Sequence, residues 1–218
     1  LNAARLGRAR EADARWLRAN FCPKVDEGAP KIFCRLHEVE RRNEAMLDAL
    51  TTPMQIHMPV STGKVPPMSS TAGKGQELHL KPGARVLLTR NLPEFAEKGL
   101  HNGSCGTVKS TTHGSALVCF DAGTEAVIKP VTHEFEDKGK VVGTHTFMPL
   151  VLAWAVSVHR AQGATLDSMY VDLGNCFAPG QAYVALSRVR EAAHAEVANL
   201  HLCHLNRIDR PALQFYNK

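Results

Sequence analysis

What the sequence has little of narrows it first. No apolar run approaches the roughly 18–20 residues that cross a bilayer as a helix, so no membrane partner is expected. The opening residues carry Arg and Glu where a secretory leader has an apolar core. Six cysteines, at 22, 34, 105, 119, 176 and 203, include no Cys-x-x-Cys pair, which removes zinc ribbons and thioredoxin-type motifs. Cys34, Cys119 and Cys203 sit in apolar runs and read as reduced, buried thiols of a reducing intracellular compartment. His201, Cys203 and His204 suggest a metal corner, but with no second ligand pair nearby no metal site is assigned. The phosphate-binding loop is also missing. It needs Gly-Lys-Ser/Thr, and here Val65 follows Gly63-Lys64 while Gly75 follows Gly73-Lys74.

What is present is a chain of 218 residues, 44% hydrophobic, enough for one large domain or two small ones. A net charge of +5 permits a nucleic-acid partner without establishing one. The first residue is Leu1 rather than Met, which points to a fragment or a processed chain.

Hydrophobic periodicity gives the order of elements. A helix is expected over 1–20, a strand over 31–36, and a helix over 38–50 with Val39, Asn43, Met46, Leu47 and Leu50 on one side. Residues 51–76, rich in Pro, Ser, Thr, Gly and Met, read as a long flexible loop. From 81 to 147 short β-prone segments (84–89, 107–110, 116–120, 125–129) alternate with Gly and Asn-Gly turns, as in a small barrel. The pattern then returns to α/β. Strands are expected near 148–152, at 169–173 and at 198–203, with helices over 181–189 and 209–216. The fold class is therefore α/β, interrupted by a β insert.

The segment from Pro149 to Arg190 carries the chemistry. Ser157, His159, Arg160 and Gln162 gather before Gly163, between two apolar strands, where α/β proteins place ligand sites. Gly163 and Thr165 make a small, hydroxyl-bearing turn that a phosphate or sugar can approach closely. Arg188, ending an apolar helix, offers a planar charged fork. Taken singly, His159 reads as a partly buried histidine, Arg160 and Arg190 as solvated charges, and Arg188 equally as an ion pair or a phosphate contact.

In combination, LAWAVSVHRAQGATLDSMYVDLG (152–174) followed by GQAYVALSRVR (180–190) resembles motifs V and VI of the Pif1/RecD branch of superfamily 1 DNA helicases. LKPGARVLLTRNL (80–92) and GLHNGSCGTV (99–108) resemble that family's entry into an SH3-like insert, and IFCRLHEVERRNEAML (32–47) its motif IV. Residues 1–13 and 208–218 are similar to the helix after motif III and to the C-terminal end. The resemblance implies a RecA-like (P-loop NTPase-type) 2A domain over 1–80 and 148–218, with an SH3-like β-barrel 2B domain inserted over 81–147. It implies a 5′-to-3′ DNA helicase using ATP and Mg²⁺, acting on single-stranded DNA and DNA junctions in the nucleus or mitochondrion, or in the cytoplasm of a prokaryote. Arg188 matches the catalytic arginine finger. Gln162, Gly163 and Thr165 match the ATP-binding part of motif V, and Ser157, His159 and Arg160 its DNA-facing part.

The chain also departs from that family. Arg160-Ala161 stands where Lys-Ser is usual, removing a hydroxyl. Cys34-Arg35-Leu36 replaces Pro-Thr-Asn, leaving Arg35 as the residue there that reaches phosphate. The P-loop and the Mg²⁺ ligands belong to the family's N-terminal RecA-like domain, expected before Leu1 as a partner. The other reading of these departures is a non-catalytic nucleic-acid-binding remnant.

Overall fold

In the computed structural model, which describes residues 1–66, 77–209 and 211, two units divide the chain. One is Leu1–Arg42 with the residues from Trp154 onward, the other Asn43–Ala153. The first boundary falls inside a helix, Leu36–Asp48.

The first unit is built on a four-stranded, all-parallel sheet in the order Ala155–Ser157, Lys31–Phe33, Met169–Asp172, Ala195–Ala198. Parallel sheets are covered on both faces, so their strands are nearly continuous apolar runs. Ile32, Met169, Val171 and Ala195 are accordingly fully buried. Phe33 registers with both Ser157 and Asp172, so three strands end level with one another.

Several elements differ from the sequence expectation, each for a local reason. The helix expected over 1–20 is two, Asn2–Arg5 and Glu11–Asn20. Gly7 turns left-handed between them (φ 63°), and the Asp13 carboxylate accepts the Arg10 N–H at 2.7 Å to restart the helix. The first strand stops at Phe33 because the next helix starts at Leu36, with the Glu38 carboxylate accepting the Arg35 N–H. The last strand lies at Ala195–Ala198 rather than 198–203. Asn199, left-handed at φ 54° and donating to Asp172 Oδ1 at 2.8 Å, ends it, and Leu202–Leu205 is helical. The helix expected over 181–189 ends at Leu186, where Ser187 Oγ turns back to the Val184 carbonyl. The closing helix expected over 209–216 lies almost wholly outside the described residues.

Among the described residues the second unit is antiparallel throughout. A five-stranded sheet runs Leu150–Leu152, Arg85–Leu88, Cys105–Thr112, Ser115–Phe120, Glu125–Ile128. Its buried face gathers Val86, Leu88, Val108, Val118, Phe120, Ile128 and Leu150. A three-stranded sheet runs Val60–Gly63, Lys140–Phe147, Val131–Asp137, and a ribbon pairs Gln55–His57 with Leu78–Leu80. Two strands thus lie within 51–66, where a loop was expected; residues 67–76 of that stretch are outside the described residues. The hairpin of 131–147 turns at Lys138-Gly139, both at positive φ, a turn the sequence expectation does not include. Among the described residues no helix is long and apolar enough to cross a membrane.

Candidate nucleotide and nucleic-acid site

The singled-out residues fall into two groups, both within the parallel-sheet unit. The first is the turn after Ala155–Ser157 together with the end of the Gln181–Leu186 helix. Ala161 donates its N–H to the Ser157 carbonyl, Gln162 to that of His159, and Ala164 to that of Ala161, winding 157–164 into a tight coil. Gly163 completes it at φ 89°, a conformation that suits glycine, with open space where a Cβ would stand. Gln162, Gly163 and Thr165 are exposed. Two backbone bonds then join this turn to the segment after the helix: Leu166 donates to the Arg188 carbonyl at 2.8 Å, and Arg190 to that of Leu166 at 3.1 Å.

Arg188 is held from three sides. Its Nε donates to the Val184 carbonyl at 2.9 Å, Nη1 to the Ala164 carbonyl at 3.1 Å, and Nη2 to Ser187 Oγ at 2.7 Å. A guanidinium has five N–H donors, so one on each Nη remains for the oxygens of an anion. The side chain is half-buried and fixed, which lowers the entropy lost on gripping a ligand. Arg190, by contrast, is exposed and pairs with the exposed Asp167 at 2.9 Å, a weak surface contact.

The second group lies at the C-terminal ends of the parallel strands, where open α/β sheets hold ligands. Arg35 follows the Lys31–Phe33 strand, and Ser157 ends its neighbour. Ser157 Oγ accepts the Arg160 N–H at 3.3 Å, so the half-buried Ser157 and Arg160 form one corner with the exposed His159 between them. Burial pushes the Arg160 guanidinium below its ordinary pKa.

Sequence reasoning missed three residues here. The exposed Arg35 guanidinium lies 4.2 Å over the ring of Phe177, itself 45% exposed, a cation–π pair on the loop after Met169–Asp172. Buried Glu38 underpins the loop by accepting from Asn175 Nδ2 at 2.6 Å as well as from the Arg35 N–H. Gln181, also buried, accepts the Phe177 and Ala178 N–H groups through Oε1 and donates through Nε2 to the Cys34 carbonyl. Phe177, the one aromatic in the Gly- and Pro-containing loop 173–180, was the available sequence signal. His201 and His204 meet edge to face, and among the described residues no three His, Cys, Asp or Glu side chains gather where a metal ion could sit.

The fold defines a class: a mixed α/β chain with a parallel-sheet unit and antiparallel sheets, which presents a fixed arginine beside a glycine turn. No family model matches the chain. It is similar to the ATP-dependent DNA helicase PIF1 of Rattus norvegicus, 35% identical over 226 residues, which cover 99% of this chain and 35% of that protein. Its structure is similar to the Pif1 helicase from Candida albicans (TM-score 0.79, 28% identity, covering 99% of this chain and 56% of that one). It is also similar to the Bacteroides Pif1 helicase in complex with ADP-AlF3 and ssDNA (TM-score 0.75, 25% identity, covering 99% and 52%). The chain belongs to the Pif1 family of DNA helicases, and it spans about a third of the length of the curated relatives it matches.

Proposed function

We propose that this chain supplies the second half of an ATP-driven, 5′-to-3′ DNA helicase motor: a RecA-like 2A domain with an SH3-like 2B insert. In that reading Arg188 is the arginine finger, and Gln162, Gly163 and Thr165 line the nucleotide side of the cleft. Arg35, Ser157, His159 and Arg160 hold phosphates of a single strand, positioning it without reading its sequence. The single observation that carries the reading is the tie from Arg188 Nη1 to the carbonyl of Ala164, within the glycine turn. In that reading the one turn after the Ala155–Ser157 strand carries both strand-facing and nucleotide-facing residues, with Arg188 tied to its far end.

The residues fit a triphosphate. Arg188 offers two unused N–H groups, and the Gly163 turn has no Cβ to hold oxygens away. They do not fit Mg²⁺, so its ligands would come from the P-loop domain that binds opposite. ATP supplies the phosphoryl group and the driving energy. What this chain does is place a permanent positive charge where negative charge develops, and grip the strand with Arg35 and the Ser157–Arg160 corner. Alternation between the two moves the motor along single-stranded DNA and into junctions.

The test supplies the P-loop domain of a Pif1-family relative in trans. DNA-stimulated ATP turnover that disappears with Arg188→Ala is the expected result. Intact binding of single-stranded DNA with no turnover would instead favour a non-catalytic remnant.

A further inference from the structure

Cys34 and Cys176 are 142 residues apart in the chain, yet their Sγ atoms lie 2.8 Å apart. Cys34 follows the Lys31–Phe33 strand and Cys176 sits in the loop after Met169–Asp172, two strands paired in register. Both side chains are buried, at 3% and 7% exposure, and neither takes part in the chemistry proposed above. The loops carrying them are tied twice more, by Asn175 Nδ2 on Glu38 and by Gln181 Nε2 on the Cys34 carbonyl. Arg207 Nη1 holds the Cys176 carbonyl at 2.8 Å, placing a cation beside that thiol.

We infer that Cys34 and Cys176 are an oxidation site: a buried dithiol that a small-molecule disulfide converts to an intramolecular disulfide, stapling together the loops that carry Arg35 and Phe177. The sulfurs need less than about 1 Å of approach to reach the roughly 2.05 Å of a disulfide bond. The pair also has a division of labour. The contact with Cys34 and the nearby Arg207 lower the Cys176 pKa, whereas that same contact and burial raise the Cys34 pKa. In the proposed step Cys176, the thiol with Arg207 beside it, is the nucleophile, and its chain neighbours Asn175 and Phe177 are exposed.

With oxidised glutathione, the Cys176 thiolate attacks one sulfur, forming a mixed disulfide and releasing one glutathione, which takes up the proton that Cys176 lost. The Cys34 sulfur then attacks the Cys176 sulfur and expels the second glutathione, which takes the Cys34 proton. Two protein thiols become one disulfide, and one glutathione disulfide becomes two thiols. Because Cys34 lies against its partner, the mixed disulfide does not accumulate.

The experiment treats the purified chain with oxidised glutathione and maps every cysteine by peptide mass spectrometry. Cys203, expected to be buried from its apolar run but exposed in the fold, is the internal clock. The expected result is a peptide carrying Cys34 cross-linked to one carrying Cys176, with no glutathione left on either, fully reversed by dithiothreitol. Stable glutathione adducts at 34 or 176, or both thiols still free once Cys203 is fully modified, would overturn the proposal.

Discussion

Arg188 Nη1 donates a 3.1 Å hydrogen bond to the carbonyl oxygen of Ala164, so a side chain after one helix is braced by the backbone of a turn 24 residues earlier. The brace leaves two of the guanidinium's five N–H groups for an anion. With the P-loop domain supplied, Arg188→Ala is expected to lower DNA-stimulated ATP turnover by roughly 10³–10⁵, the range of an arginine finger. Arg188→Lys keeps the charge but loses the fork, and is expected to recover little of it. Turnover at saturating single-stranded DNA is the measurement, and an Arg188→Lys rate near that of the unsubstituted chain would refute the fork.

The turn itself depends on Gly163. Its φ of 89° lies where L-residues are strained, while no atom stands within 4 Å of the place a Cβ would take. Strain alone therefore sets the cost. Gly163→Ala should destabilise the chain by about 1–2 kcal/mol, and Gly163→Asn by less, since Asn tolerates the left-handed region. Urea midpoints would show this order; Asn costing more than Ala would point to crowding instead.

Gly106 presents the opposite problem. Its φ is ordinary, but a Cβ there would meet the Cys119 carbonyl oxygen at 2.7 Å and Phe120 Cα at 3.0 Å, both backbone atoms of the paired strand. Gly106→Ala is expected to cost about 1–3 kcal/mol by overpacking. Gly114→Ala, in open space at the hairpin turn, should be neutral or slightly stabilising. Thermal melts of the two variants check the contrast.

These two glycines also show what the sequence could and could not reveal. Gly163 is legible as a turn, whereas Gly106 reads as punctuation but lies inside the Cys105–Thr112 strand; the apolar run around Met169–Asp172 is legible as a buried strand because a parallel sheet asks for nothing else. Arg188 could be singled out as a charge at the end of an apolar helix. Its aim could not, because two of its three partners are carbonyls, which every residue has. The break at Asn199 escaped for a related reason: Asn permits the left-handed turn, but the Asp172 carboxylate 27 residues earlier is what holds it there. The Cys34–Cys176 contact has no local signature at all.

Acid should weaken the antiparallel unit through His57. This side chain is buried, bonded through Nε2 to Thr111 Oγ1 at 2.9 Å, and its pKa is lowered by burial and then by nearby His113. The folded state thus refuses a proton that the unfolded chain accepts near pH 6.5. Stability is full above that unfolded value, falls as pH drops through it, and levels off below the folded value. His57→Gln is expected to flatten the urea midpoint between about pH 7.5 and about pH 5. A slope unchanged by the substitution would place the titration elsewhere.

Arg35 and Phe177 should affect strand binding differently. Arg35→Ala is expected to weaken binding of single-stranded DNA and reduce the salt slope by about 0.7, the share of one phosphate contact. Phe177→Ala leaves the charge in place but removes the ring beneath it. It should weaken binding by about 0.5–1 kcal/mol with the salt slope intact. Fluorescence anisotropy across a salt series separates the two.

The Lys31–Phe33 strand lies between Ala155–Ser157 and Met169–Asp172 in the finished sheet. On the ribosome it emerges first, and both neighbours follow roughly 120–140 residues later, which at about 5–20 residues per second is on the order of 10 s. During that wait the Lys31–Phe33 strand has neither edge paired, while the antiparallel unit, encoded in between, receives its last strand, Leu150–Leu152, just before Ala155 is made. The insert can therefore fold during translation as the host sheet waits for its remaining strands. Shielding that first strand in the nascent chain is a task for chaperones, and slowing synthesis after residue 153 would lengthen the time it stays exposed.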